Sequence, residues 1–127
     1  MVRHRKSFMR TSPSDGDIVL VNLGVVAKLR PCLVLCSQPD SKRTVSIVAP
    51  LTTEVRGGES EIAFQKPAWL AQTCVLNLSG LSSVEHRRIE RRLGPFPAEK
   101  LEEAKSVLSK LLKLENPATD PAGGQPV

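Results

Sequence analysis

At 127 residues, 40% hydrophobic and 24% charged, the chain has the length and apolar content of one packed domain. Aromatic residues make up only 3% and Tyr is absent, so the core rests on Val, Leu and Ile, and a nucleic-acid site built on stacked bases has little to draw on. The net charge of +5 favours a polyanionic partner, with plain solubility as the alternative, and no apolar run approaches the roughly 18 residues of a membrane span.

Residues 1–14 are polar and basic, with Arg3, His4, Arg5, Lys6 and Arg10 and no apolar stretch after them. They read as a flexible arm rather than a signal peptide, either a plain leader or a set of cations that touches RNA backbone. Asp15-Gly16 is a turn signal, and Ile18-Val19-Leu20-Val21 follows as a short strand. Gly24 to Leu29 reads as a loop. Pro31 to Ser37 is nearly all apolar, which predicts a strand covered on both faces.

Gln38 to Arg43, with Pro39 and Asp40, is a polar turn, and Thr44 to Leu51 is a third strand rich in β-branched residues. Arg56-Gly57-Gly58 is another turn, and Ser60 to Phe64 alternates as a half-exposed strand does. After the break at Lys66-Pro67-Ala68, Cys74 to Leu81 is a fifth strand and Ile89 to Leu93 a short sixth. Many short strands with turn signals between them predict a small barrel or sandwich.

Leu101, Ala104, Leu108 and Leu111 then recur at helical spacing, with Val107 and Leu112 beside them. Pro97 suits the first turn of that helix, and Glu99, Glu102, Glu103, Lys110 and Lys113 are placed to complement its dipole. From Glu115 to Val127 the chain holds Pro, Gly, Ala and Asp without apolar periodicity, which predicts a disordered tail. The organisation is therefore an arm (1–14), a domain (15–114) and a tail (115–127).

Cys32, Cys36 and Cys74 form an odd set without metal-type spacing, which points to a reducing compartment and a cytoplasmic protein. On one strand, Cys32 and Cys36 stand roughly 13 Å apart, too far for a disulfide, and read as buried apolar thiols. The two histidines, His4 and His86, fall in an arm and a turn, and no His-Glu-x-x-His or paired-cysteine motif accompanies them. A serine or cysteine triad would need His86 as its base, and no serine has a nucleophile-elbow context. No metal site and no cofactor are expected.

What remains is Arg30, directly before Pro31, and Thr52, at the end of the third strand. Proline biases Arg30 toward an extended backbone and so holds its side chain at the mouth of the sheet. A guanidinium can clamp a phosphate through two parallel hydrogen bonds and stabilise charge building on its oxygens. In RNA the nucleophile is already present as the 2′-hydroxyl, so alignment and charge neutralisation are most of what a protein must supply. Taken singly, Arg30 reads as a surface cation and Thr52 as a strand-end residue bonding a turn. The run Glu85-His86-Arg87-Arg88-Ile89-Glu90-Arg91-Arg92 holds RNA backbone or is a solvated hairpin face.

In order, these segments resemble the MazF/PemK family of bacterial toxin endoribonucleases over roughly Gly16 to Leu114. The residues that carry the resemblance begin with Gly16-Asp17-Ile18-Val19-Leu20-Val21, then Arg30-Pro31 leading into Cys32-Leu33-Val34-Leu35, then Val48-Ala49-Pro50-Leu51-Thr52. After them come Cys74-Val75-Leu76-Asn77-Leu78, the Leu93-Gly94 step and the closing helix.

The resemblance implies a mainly β fold, a small SH3-like β-barrel with a C-terminal amphipathic α-helix, usually a homodimer. It implies metal-independent, sequence-specific cleavage of single-stranded RNA, typically mRNA, with Arg30 and Thr52 catalytic. Lys28, Thr53, Asn77 and Ser79 are further candidates for contacting RNA. A cognate antitoxin with an acidic flexible segment would cover the basic groove. In two places the chain departs from the family pattern: the stretch Gly24 to Leu29 is short and carries no carboxylate, and Ser79 and Gly80 stand where an acidic residue and a glutamine are common. The alternatives are the same barrel acting as an RNA- or protein-binding module without catalysis, and a purely structural barrel.

Overall fold

The computed structural model describes residues 13–24 and 28–114. The basic arm, except Pro13 and Ser14, and the whole C-terminal tail lie outside the described residues, as does the middle of the Gly24–Leu29 stretch. Seven antiparallel strands and one helix follow in chain order: β1 (Asp17–Asn22), β2 (Leu29–Cys36), β3 (Val45–Thr52), β4 (Glu61–Ala63), β5 (Val75–Asn77), β6 (Ser82–Glu85), β7 (Ile89–Pro95) and α1 (Ala98–Leu111). Short 3₁₀ turns occupy Leu78–Gly80 and His86–Arg88.

The sheet runs β4-β5-β3-β2-β1-β7, and β6 also pairs with β3. β3 is the fork. One edge pairs with β2, from Cys32 opposite Pro50 to Cys36 opposite Ile47. The other edge is shared: Val45 to Val48 pair with β6, and Leu51 and Thr52 pair with Leu76 and Val75 of β5. The sheet therefore divides along β3 into a barrel-like unit, with β2, β1, β7 and β6, and a small extension, β5 and β4. No ladder joins β6 to β7 among the described residues, and the His86–Arg88 turn bridges them, so the barrel is not closed.

The curl produces two cores, and strand alternation sorts residues between them. Ile18, Leu33, Leu35, Ala49 and Leu51 face one core, which Phe64, Phe96 and Ala104 of α1 complete; the two phenylalanine rings meet edge to face at 4.9 Å. Val19, Val21, Cys32, Val34, Val48, Val84 and Ile89 fill the other, inside the curl. This explains the unbroken apolar run of β2: Cys32 to Leu35 are all buried, alternately in one core and the other.

Several boundaries differ from the sequence expectation. The fifth strand is three residues long and gives way to a 3₁₀ turn. There Gly80 lies on the Pro50 ring, where an added Cβ would come within 2.7 Å of Pro50 Cγ. A side chain at this position could be accommodated only if the Pro50 ring shifted. β6, a stretch between the expected fifth and sixth strands, is a strand because it fills the free edge of β3; Val84 is its one buried residue. Arg30 does not end a loop but lies within β2, opposite Val21. Pro97 is the N-cap of α1 rather than a residue of its first turn, and its carbonyl accepts from the Lys100 and Leu101 amides.

Candidate functional site

The β2–β3 register brings the two singled-out residues together. The β2–β3 ladder ends with Cys32 opposite Pro50, and Arg30 and Thr52 lie two residues beyond it on the two strands. Both sit at the strand ends, and both line an open cavity of about 380 Å³. Pro31, Leu51, Thr53, Glu54, Leu70, Ala71, Gln72 and Cys74 complete its lining.

Arg30 is half-buried, and among the described residues its guanidinium has no carboxylate partner. Most other described arginines are paired: Arg43 with Asp40, Arg56 with Glu54, Arg87 and Arg88 with Glu85, and Arg92 with Asp17. An unpaired cation at a cavity wall can take an external anion.

Among the described residues the Thr52 side chain makes one hydrogen bond, and its direction matters. The Glu54 amide donates to Thr52 Oγ1 at 3.0 Å, closing a turn of the local type that threonine favours. The hydroxyl oxygen is thereby an acceptor, while its own O–H remains free to donate.

The cavity wall beyond β5 comes from the 65–73 segment, which sequence reasoning treated as a simple break. Lys66 Nζ donates to the Leu70 carbonyl at 2.8 Å and folds the segment back on itself. Trp69 covers Gly94 of β7 so closely that any Cβ there would overlap the indole. This brings Leu70, Ala71 and Gln72 to the cavity. Glu54 and Gln72 are the polar residues of the lining that sequence reasoning missed. Glu54 offered one signal: a carboxylate two residues after a candidate catalytic hydroxyl.

Cys74 also lines the cavity, but burial pushes its thiol pKa up. Burial pushes the Cys32 thiol up to about 12, against the opposing pull of the Arg30 charge. A raised pKa keeps a thiol protonated and inert, so neither cysteine suits a nucleophile. The described cysteines are free, Cys32 and Cys74 buried and Cys36 half-buried.

The other candidates are dispersed. Thr53 lines the cavity and is exposed. Lys28 is exposed on the β1–β2 connection, where its carbonyl accepts from the Leu23 amide. Asn77 and Ser79 are outside the cavity lining. Asn77 Oδ1 accepts from the Ser79 amide at 3.1 Å, and the Ser79 and Ser60 hydroxyls are 2.6 Å apart.

His86 does meet a serine. Its Nε2 is 2.9 Å from Ser46 Oγ and 3.0 Å from the Ser37 carbonyl, and Ser46 Oγ donates to that same carbonyl. Ser46 Oγ already donates its proton to the Ser37 carbonyl, so the contact is a structural tie rather than a nucleophile beside its base. Ser46 is fully buried, and the trio ties β3 to the turn after β6. The basic run 85–92 is largely neutralised by the Glu85 and Asp17 pairs, which favours the solvated-face reading.

The chain compares with known proteins as follows. The sequence profile of the PemK-like, MazF-like toxins of type II toxin–antitoxin systems matches residues 14–112. A MazE–MazF structure from Deinococcus radiodurans is similar at 27% identity and a TM-score of 0.67, covering 81% of this chain and 97% of that one. A mycobacterial endoribonuclease in complex with its antitoxin shares the fold at 18% identity and a TM-score of 0.70, covering 82% and 98%. The Mycobacterium tuberculosis toxin MazF-mt6 shares it at 22% and 0.64, covering 78% and 98%. No curated protein sequence matches significantly. Since the profile spans most of the chain, and the strand order and closing helix accompany it, the chain belongs to the PemK-like, MazF-like toxin family of type II toxin–antitoxin systems.

Proposed function

We propose that the chain is an endoribonuclease that cuts single-stranded RNA, typically mRNA, at particular sequences and without a metal, by attack of a 2′-hydroxyl on the adjacent phosphodiester. The family is one of RNA-cleaving toxins. The observation that carries the finer reading is the meeting, in one cavity, of an unpaired Arg30 and a Thr52 with a free O–H.

In this reading Arg30 clamps the non-bridging phosphate oxygens and stabilises the charge that grows as the 2′-oxygen bonds to phosphorus. Thr52 donates to a phosphate oxygen and fixes its orientation. The 2′-hydroxyl proton leaves to solvent, the P–O5′ bond breaks, and O5′ takes a proton from water. The products are a 2′,3′-cyclic phosphate and a 5′-hydroxyl. Thr53 contacts RNA within the cavity, while Lys28, Asn77 and Ser79 contact it along the flanking strand.

An antitoxin with an acidic flexible segment is the partner that would cover Arg30. The similar Deinococcus and mycobacterial structures are complexes with antitoxins, and the charge of +5 suits an acidic partner. Leu111, Leu112 and Leu114, exposed at the end of α1, support a homodimer. The free cysteines suit a cytoplasmic location, and among the described residues no helix is long and apolar enough to cross a membrane. The domain 15–114 carries the activity, with the arm 1–14 and tail 115–127 as appendages.

The test is incubation of wild type and Arg30→Ala with a long single-stranded RNA in excess EDTA, with product ends mapped. Discrete cuts made by wild type and lost in a folded variant are expected. Cuts that persist in Arg30→Ala would remove the assignment.

A further inference from the structure

The cavity is larger than a phosphate alone requires. Its volume of about 380 Å³ falls within the roughly 300–1,000 Å³ of sites that enclose small organic ligands. Its lining is also divided. Arg30, Thr52 and Thr53 supply donors suited to an anion, and Pro31, Leu51 and Leu70 supply apolar walls. Glu54 and Gln72 are unlike either group.

A carboxylate is out of place in a site that serves only a phosphate, because it repels one. Nor is Glu54 present to neutralise Arg30, since the two form no ion pair. Glu54 Oε2 accepts from Arg56 Nη2 at 2.7 Å, while Oε1 has no partner among the described residues. The Gln72 amide likewise has no hydrogen bond among the described residues. Both residues line the cavity, so a ligand held there lies beside a carboxylate, which only accepts, and an amide, which both donates and accepts. No aromatic side chain lines it, so a base held there is recognised by its edge rather than by stacking.

We infer that this part of the cavity is a nucleobase subsite in which Glu54 selects a base carrying an exocyclic amino group and rejects uracil. The inference rests on the reading of the chain as an RNA-binding nuclease. Cytosine and uracil have nearly the same shape, but cytosine offers an N4 amino donor where uracil offers the O4 carbonyl. Opposite Glu54 Oε1 the amino group makes a hydrogen bond, whereas the carbonyl sets two acceptors together with no hydrogen between them. Gln72 tolerates either base, because its amide can turn over to face the bare N3 of cytosine or the N3–H of uracil. It anchors the base, and Glu54 discriminates. Contacts of this kind discriminate between bases by about tenfold or more.

The experiment uses 2′-fluoro oligonucleotides, which lack the nucleophile and so report binding alone. A pool with a randomised core is selected on wild type, and the bound sequences are read. Pairs differing only by cytosine or uracil at the selected position are then titrated by fluorescence anisotropy against wild type, Glu54→Gln and Arg30→Ala. Substituting Glu54 leaves its backbone amide, and with it the bond to Thr52, in place.

The expected result is depletion of uracil at one position, with about tenfold weaker binding of the uracil member of the pair. Glu54→Gln brings the two members level by tightening the uracil one. Arg30→Ala weakens both alike and keeps their ratio. No binding, no position that disfavours uracil, or an unchanged preference in Glu54→Gln would each overturn the inference. A selective protein that leaves unmodified RNA uncut would instead overturn the nuclease reading and leave the subsite standing.

Discussion

Replacing Thr52 by valine keeps the side-chain shape and removes only the hydroxyl. Two quantities should then change by different amounts. In the folded protein Oγ1 accepts from the Glu54 amide at an exposed turn. Water can take over that amide, so the loss of stability is at most about 1 kcal/mol. For a domain of this size that is a fall in Tm of about 4–8 °C at most.

In catalysis the free O–H donates to a charged phosphate, a bond in the range of about 1.5–3 kcal/mol. Its loss should lower kcat about 10- to 150-fold. Thr52→Ser retains both bonds and should retain most of the rate. The assay is single-turnover cleavage of a fluorescent RNA in EDTA, with thermal melts of the same samples. A valine variant as fast as wild type would remove the hydroxyl from the mechanism. A serine variant as slow as valine would show that the methyl group or the turn, not the hydroxyl, is what matters.

Two further outcomes test the fold around the site. Gly94→Val places carbon atoms where the Trp69 indole lies, and should cost about 1–3 kcal/mol in a urea titration while red-shifting the emission of this sole tryptophan; an unshifted spectrum would mean that Trp69 does not cover β7. Cys32 should make the fold sensitive to alkali. Its folded thiol titrates near 12 against an ordinary value of 9.0, so between these pH values the unfolded chain has released a proton that the folded chain retains. Stability is therefore fully present below pH 9 and falls as pH rises toward 12, by up to about 1.4 kcal/mol per unit. Urea midpoints measured across that window should fall less steeply in Cys32→Val, and parallel slopes in the two proteins would refute the assignment.

Much of this architecture is legible in the residues because local pattern and long-range contact agree. The unbroken apolar run of β2 predicts cover on both faces, and two cores supply it. The spacing from Leu101 to Leu111 predicts the helix. Arg30 and Thr52 are legible as a pair because they lie on the adjoining ends of two neighbouring strands and line one cavity.

What was not legible depends on contacts that no short window contains. Ser82 to Glu85 lack an apolar face and form a strand only because half of one β3 edge is left free for them. Leu78 to Gly80 follow directly on a strand, yet turn where Gly80 settles on Pro50. Gln72 enters the cavity because Trp69 and Lys66 fold its segment over β7 and back on itself. His86 and Ser46, forty residues apart, meet only through the β3–β6 pairing.

The central claim is that the RNA supplies its own nucleophile while Arg30 and Thr52 handle the phosphate. The most direct measurement takes the mapped cleavage site, replaces the single nucleotide on its 5′ side by the 2′-deoxy form, and compares cleavage of the two substrates by the wild-type protein in excess EDTA. The account predicts cutting of the all-ribose strand to a 2′,3′-cyclic phosphate and a 5′-hydroxyl, and none of the deoxy strand. Cleavage of the deoxy strand at the same bond would contradict it.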